Sequence, residues 1–587
     1  MQPFPSIVSE NFNGGLVTAI DPVLLQPNQL QKALNVRFRL GGGFFPRPGY
    51  VEQLMTNFTS TGNDGIQGLF ATDEEIFIAV NGKIFVTIGD NVDDAFEIHS
   101  GLDTSARVNM FEENGDIFVM NGVDNCLRIA RSKTASALVS STSTTLDVSL
   151  GQGWRFNTSG TVVVVSSLGA DEITVSGKTN DELTITDSTV GFDHPSESKI
   201  FEVNELTSIP KFAFGIANRG TWIAGGVVGE SAQNYNPNTI FWSRGSTGIN
   251  PEYFWDFSGA GSGFKPVTGG TGGLTALFNT KDYFLICKKD IIHYCPGINT
   301  DSDLVYTNIT ESYGAAGQDC LAQVNDQIMI FTGKGLKEVG EKVGLNNTAP
   351  SINPQFDDKV FDQLQALDED QSDAVVHFNP NQKLLKLWCN KDGARTCFVI
   401  DANVSGDSPW SIDTNKPTSC AVDFKKETFW GSSFEPKLFQ DEVSYDDNGS
   451  AIRSEVRTAE FNAGNTRISK YFKYLYMYGL IGESSTVTVN VYFDDELIQT
   501  FTLVDDLVVL SAGEPIGRAL VGSGIAASEA EAVTGFPFEI EKVLKKRRQV
   551  GKMSIEYVSD GTGQVYEMTG FEIKGNYSSK FDRKIRT

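Results

Sequence analysis

Histidine is scarce in this chain, cysteine comes unpaired, basic residues are outnumbered, and no apolar run approaches the length of a membrane span. Each shortage excludes something. The four histidines (His99, His194, His293 and His377) stand far apart and outside HxH or HExxH spacing, so no metal site is expected. The seven cysteines (Cys126, Cys287, Cys295, Cys320, Cys389, Cys397 and Cys420) are odd in number and contain no CxxC, which argues against a disulfide framework and for folding in a reducing compartment. There is no GxSxG elbow and no run of about 18 apolar residues, so neither an α/β-hydrolase nucleophile nor a membrane helix is expected. Met1-Gln2-Pro3-Phe4-Pro5 has no basic region followed by an apolar stretch, and no signal peptide is expected. Basic residues number 48 against 74 acidic ones, a formal charge of −26, which repels phosphate and argues against tight nucleic-acid binding by the whole chain.

What is abundant points to β structure. The 587 residues are 40% hydrophobic, with 40 Phe and 58 Gly, a globular composition rich in turns. Seven segments share one grammar: a polar start, three to five apolar or β-branched residues, a Gly- or Asn-rich turn, then a second apolar run. They are residues 74–88, 115–129, 219–244, 281–297, 326–340, 381–401 and 425–442, and Asn81-Gly82 is the strongest two-residue hairpin signal among them. Their starts are spaced by 41, 104, 62, 45, 55 and 44 residues. Apart from the second, these steps suit one propeller blade each, at about 40–50 residues per blade.

The long step contains residues 132–198, a Ser/Thr/Val-rich stretch (STSTTLDVSL, GTVVVVSS, DEITVSG, DELTITDS) with few aromatics, expected to be an inserted small β domain. Beyond residue 442 the strands lengthen (YFKYLYMYGLIG, STVTVNVYFDDELIQTFTLV, KMSIEYVSDG), as in a β-sandwich. Residues 511–543 between them read as a loop with a helical turn. Helix is expected only at Asn28–Leu34 and Phe356–Leu367. The fold class is therefore all-β: a propeller-like body with an inserted small β domain and a C-terminal sandwich or platform. The parts are residues 1–131 (N-terminal arm and first blades), 132–198 (insertion), 199–442 (remaining blades) and 443–587 (platform).

Motifs that carry chemistry are few. Ser176-Gly177-Lys178-Thr179 has the ending of a phosphate loop, but Glu172 stands where the first glycine is required and the flanks read as strand. The acidic runs 368–373 and 446–449 lack the spacing of a calcium loop and read as solvated turns. No residue is assigned a catalytic, metal or cofactor role, and no cofactor is expected. The candidates for interaction are the late basic residues Lys545, Lys546, Arg547 and Arg548, then Lys580, Arg583, Lys584 and Arg586, which could dock an acidic neighbour or touch phosphate.

One ordered set of motifs resembles a known family. Near the N-terminus it comprises Asn13-Gly14-Gly15-Leu16, the stretch from Leu30 to Arg37, Gly43, and Pro46-Arg47-Pro48-Gly49-Tyr50. Later come Ala217 to Trp222, Ile240 to Arg244, Pro251 to Phe254, Ser312-Tyr313-Gly314 through Gly335, the region of Trp410, and Phe571 to Tyr577. The set is similar to tail nozzle proteins of short-tailed bacteriophages, also called tail tubular protein B or tail hub proteins. The resemblance implies a non-enzymatic virion protein of the viral tail, assembled in the host cytoplasm. It implies six copies in a ring below the head-to-tail adaptor, tail fibres or spikes as neighbours, and genomic DNA that passes through the channel during ejection without sequence-specific binding. Acidic walls suit such passage. The alternatives are a receptor-binding or fibre-attachment protein, with the insertion as recognition module, and a propeller glycan hydrolase with carboxylates at one mouth.

Overall fold

A computed structural model describes residues 3–577, apart from 56–57, 59–64, 89–91, 93, 139–142, 187–189, 228–236, 246–253, 298–303, 341–350, 354–355, 403–408, 464–469, 483, 505–535 and 545–549. Strand makes up 56% of the structure and helix 3%, so the protein is nearly all β. Among the described residues no helix is long and apolar enough to cross a membrane.

The hairpin grammar resolves into seven four-stranded antiparallel meanders, and each of the seven hairpins supplies the middle pair of one meander. Meander 1 is Ile66–Ala71, Ile76–Val80, Lys83–Ile88 and Asp94–Ser100; meander 2 is Asn109–Glu113, Asp116–Met120, Cys126–Lys133 and Lys199–Leu206. Meander 3 is Phe214–Asn218, Thr221–Gly225, Thr239–Trp242 and Gly263–Pro266; meander 4 is Leu274–Asn279, Phe284–Lys288, Ile292–Cys295 and Thr307–Thr310. Meander 5 is Leu321–Val324, Gln327–Phe331, Leu336–Gly340 and Ser351–Asn353; meander 6 is Val375–Asn379, Leu384–Lys391, Ala394–Asp401 and Trp410–Asp413. Meander 7 takes three strands from its own region, Thr418–Phe424, Glu427–Ser432 and Leu438–Ser444. Its fourth is Gly49–Glu52, from the other end of the chain, with Phe439 opposite Glu52.

Each meander is apolar on both faces, which is why the middle strands read as continuous apolar runs. In Ile76–Val80, Phe77 and Ala79 face a cluster shared with meander 2, while Ile76, Ile78 and Val80 face one shared with meander 7. Meanders 2 and 3 join around Phe118 and Trp222, and meanders 3 and 4 around Trp242 and Phe284. Meanders 4, 5 and 6 share the largest cluster, and meander 6 meets meander 7 at Trp388 and Ala421. Sheet-on-sheet burial thus runs from the first meander to the seventh and back to the first.

Residues 134–198 leave meander 2 between its third and fourth strands. Those two strands pair directly from Cys126↔Leu206 to Lys133↔Lys199, and Gly160–Ser166, Gly169–Lys178, Glu182–Ile185 and Thr145–Asp147 extend the same sheet around a separate apolar cluster. The Ser176–Lys178 segment lies within this sheet, and Lys178 Nζ donates to the Trp154 (3.2 Å) and Phe156 carbonyls, as a strand residue and not as part of a phosphate loop.

The C-terminal region forms two facing sheets, and the N-terminal arm belongs to both. One contains Lys470–Ile481, Phe536–Val543 and Tyr566–Tyr577 with Ile7–Ser9, Val36–Phe38 and Phe44–Pro46; the other contains Ser454–Thr458, Met553–Ser559, Thr486–Phe493 and Glu496–Val504 with Gln29–Leu34. Their inner faces, Leu475, Met477 and Phe571 against Val489, Ile555 and Tyr557, belong to the cluster that continues into meanders 4 to 6.

Three local expectations are corrected. Asn28–Leu34, expected as helix, holds instead the strand Gln29–Leu34, which buries Leu30 and Ala33 and pairs with Ser454–Thr458; partner strands more than 400 residues away override local propensity. The last part of the 511–543 loop is the strand Phe536–Val543, paired with Lys470–Ile481. The helix expected at 356–367 reduces to one turn, Phe361–Gln365, after a 3-10 turn at Asp358–Val360.

Candidate functional site

The first strand of each meander lies toward a common centre. A cavity of about 350 Å³ there is lined by Leu69, Asn109, Phe278, Gln318, His377 and Cys420, from meanders 1, 2, 4, 5, 6 and 7 or the loops that lead into them. A second, of about 320 Å³, brings in Phe214 of meander 3. Gln318 stands in for a strand ladder between meanders 4 and 5: its Oε1 accepts from the Leu277 N–H (2.9 Å) and its Nε2 donates to the Leu277 carbonyl (3.0 Å).

Arg107 crosses this centre. From the loop before meander 2, its guanidinium donates to the Asp373 carbonyl (3.0 Å) and the Ser419 carbonyl (2.6 Å) and pairs with Asp319 at 2.6 Å. One side chain therefore ties the loops leading into meanders 5 and 6 to the first strand of meander 7. The titratable groups described beside these cavities are engaged or deactivated. His377 Nε2 lies 2.9 Å from Asp423 Oδ1, which also accepts from Thr428 Oγ1 (2.9 Å). Burial pushes the Cys420 thiol up to about 11 and the Cys320 thiol up to about 12, so neither is a thiolate near neutral pH.

A second, denser constellation lies where the N-terminal arm meets meanders 6 and 7. Arg37 forks onto Asp413 (2.8 and 2.6 Å) and reaches Glu442 at 2.6 Å; Arg47 forks onto Asp447 (2.8 and 2.6 Å). Lys386 pairs with Asp441 (2.7 Å) and Glu442 (3.0 Å), and Lys416 with Asp441 (2.8 Å), Glu442 (3.2 Å) and Asp413 (3.3 Å). All eight side chains are largely shielded from solvent, and four cations balance four anions. Asn35, held at φ +52°, completes the set: its Oδ1 accepts from Arg47 Nε (3.0 Å) and Thr414 N–H (2.9 Å), and its Nδ2 donates to the Arg453 carbonyl (2.7 Å).

Taking these ions out of water costs several kcal/mol each, offset only because every charge has an opposite neighbour and a directed hydrogen bond. Burial alone would raise the Asp413, Asp441 and Glu442 carboxyls. The surrounding cations outweigh it and hold all three below the usual carboxylate range. Asp447 goes the other way, because burial is only partly offset by Arg47. The arrangement fastens Arg37 and Arg47 of the N-terminal arm to meanders 6 and 7 and the loop that follows them.

The residues singled out in the sequence distribute unevenly. Lys545, Lys546, Arg547 and Arg548 and Lys580, Arg583, Lys584 and Arg586 lie outside the described residues. Most carboxylates of the acidic runs cap nearby backbone: Asp370 caps Ser372 N–H (3.0 Å), Asp368 accepts from Asp392 and Gly393 N–H, and Asp446 accepts from Gly449 N–H (2.8 Å); Asp447, expected in a solvated turn, is instead buried against Arg47. Asn35, Arg37 and Arg47 come together in the charge cluster, and so does Gly49 as the start of the closing strand. Sequence reading missed Lys386, Asp413, Lys416, Asp441 and Glu442. A usable signal existed at Lys386, a lone charge inside Leu384-Leu385-Lys386-Leu387-Trp388.

No protein-family profile matches the chain, and no curated protein does. Among solved structures it is similar to the computationally designed Ika8 protein (11% identity, 66% of this chain and 99% of that one, TM-score 0.32). It is also similar to virginiamycin B lyase from Staphylococcus aureus (10% identity, 67% and 98%, TM-score 0.35) and to Hsv2 from Kluyveromyces lactis (11% identity, 60% and 98%, TM-score 0.27). These scores are low, and nothing about this chain's activity follows from them.

Proposed function

We propose that this chain is a structural tail nozzle subunit of a short-tailed bacteriophage, with a seven-bladed propeller body, an inserted β domain on the second blade and a C-terminal platform. Seven four-stranded meanders, each sharing an apolar cluster with its neighbours, support the propeller reading. A final blade completed by Gly49–Glu52 supports closure of the ring by joining the two ends of the sequence.

The observation that carries the functional reading is the fate of the resembling segments. Leu30–Arg37 and Pro46–Tyr50 meet one another in the buried charge cluster, and the arm that bears them pairs through Ile7–Ser9 with Phe571–Ile573 in the ending Phe571–Tyr577. Segments from the two ends of the sequence thus form one seam, while the described residues of those between Ala217 and Gly335 belong to meanders 3 to 5 and the loops beside them. The axial cavity is small and bridged by Arg107, so a DNA channel would lie between copies in a ring of six, beneath the adaptor, and not through the propeller itself. An excess of 26 negative charges suits a wall past which DNA slides.

Electron microscopy of the native particle, with this chain tagged within residues 132–198, tests the proposal. Six tags around the distal tail axis are expected. One to three tags at a fibre or spike would overturn it in favour of receptor attachment or glycan hydrolysis, and release of reducing sugar from host glycan would then separate those two.

A further inference from the structure

The insertion holds a serine, a histidine and an aspartate in one hydrogen-bonded line. Ser166 ends the strand Gly160–Ser166, and Asp171 lies across the tight turn in Gly169–Lys178. His194 is brought alongside by a backbone bridge to Leu138. His194 Nδ1 lies 2.9 Å from Ser166 Oγ, and Nε2 lies 2.9 Å from Asp171 Oδ2. The imidazole is fully buried and Ser166 is 5% exposed.

An ionised Asp171 carboxylate only accepts, so Nε2 carries hydrogen toward it; in the neutral ring the Nδ1 lone pair then faces the Ser166 hydroxyl. This is the protonation state in which a histidine can act as general base on a serine, with the ring turned so that Nδ1 and not Nε2 faces the nucleophile. Asp171 is itself positioned, because Oδ2 accepts from the Phe192 N–H at 2.9 Å. The Leu168 N–H donates to Ser166 Oγ at 3.3 Å and so holds the hydroxyl oxygen in place at the strand end.

Among the described residues, Phe192 is an apolar side chain that packs beside this line. The Phe192 ring rests on Gly169, where a Cβ would come within 2.4 Å of it, and stands edge-on to His194 at 6.2 Å between centroids. Phe192 and Leu168 are both exposed.

We propose that Ser166, His194 and Asp171 form a hydrolytic site for carboxylic esters with a small acyl group, covered by Phe192. Ser166 Oγ bonds to the acyl carbon as His194 Nδ1 takes its proton. The bond from that carbon to the alcohol oxygen breaks, and His194 hands the proton to the departing alkoxide. A water molecule, deprotonated by His194, then attacks the acyl-serine; the carbon–Oγ bond breaks, the carboxylic acid leaves and Ser166 regains its hydrogen. Asp171 is the positioning residue that stabilises the imidazolium.

The test uses the full chain with a fluorophosphonate probe and 4-nitrophenyl acetate. Ser166 is expected to be the labelled residue, with labelling abolished in S166A and turnover reduced by about 100-fold or more in H194Q. F192A, which opens the cover without touching the line, is expected to raise the labelling rate and keeps the test informative if S166A fails to fold. A buried polar plug with no chemistry would leave the native chain and F192A both unlabelled, with 4-nitrophenolate release equal to buffer, and that result overturns the proposal.

Discussion

Lys386 stands in an otherwise apolar strand, and its burial is tolerable only because Asp441 and Glu442 meet it there. The same dependence makes each member of the cluster sensitive to loss of a partner. Replacing Lys416 by Met removes three ion pairs and leaves Asp441, Glu442 and Asp413 to Arg37 and Lys386. The expected loss is about 3–5 kcal/mol in reversible denaturant unfolding. The cluster also sets a pH dependence. Asp413, Asp441 and Glu442 have depressed values in the folded chain, so their contribution is present above the unfolded carboxyl values of about 4 and is lost as pH falls through the folded ones. Asp447, raised in the fold, contributes with the opposite sign and softens the decline. Unfolding free energies measured from pH 7 to pH 3 should hold level and then fall below about pH 4. The thiols behave in concert: all seven cysteines are buried, and burial pushes Cys126 and Cys389 up to about 12. A thiol reagent at pH 8 should titrate almost none in the native chain and all seven in guanidinium.

Among the elements, the hairpins were the most legible. Asn81 and Gly82 adopt φ +50° and +70°, the left-handed pair that a two-residue hairpin needs, and a Cβ at Gly82 would meet the Leu102 carbonyl at 2.2 Å. The fourth strand of meander 7 was not legible, because nothing local says that Gly49–Glu52 pairs with residues almost 400 positions later. Gly49 makes that pairing possible: a Cβ there would fall 1.8 Å from the Asp446 carbonyl, against backbone. Gly49→Ala should destabilise the seam by about 1–3 kcal/mol through forced displacement, read as a lower midpoint in thermal unfolding. A chain that holds its midpoint in this variant would show that the closing strand is dispensable. The misread helix at Gln29–Leu34 has the same origin as the missed strand, since both segments take their structure from partners distant in sequence.

At the scale of the molecule, the insertion hangs from a pair of strands that complete meander 2 without it. Because Lys133 sits directly opposite Lys199, replacing residues 134–198 by a short Asn-Gly turn should leave a folded body with its main thermal transition retained, measured by circular dichroism. Loss of the whole transition would mean that the contacts of Val163 and Val165 with the body are structural requirements. By itself the sequence determined the β class, the seven hairpins, the distinct character of residues 132–198 and the absence of disulfide or metal motifs, because turn residues and apolar runs act over a few positions. Only the tertiary structure decided which end of the chain completes meander 7, how Arg37 and Arg47 find Asp413 and Asp447, and that Ser166, Asp171 and His194 share one line. Those outcomes depend on pairing across long loops and on charges that must be neutralised where they are buried, and neither has a local signature.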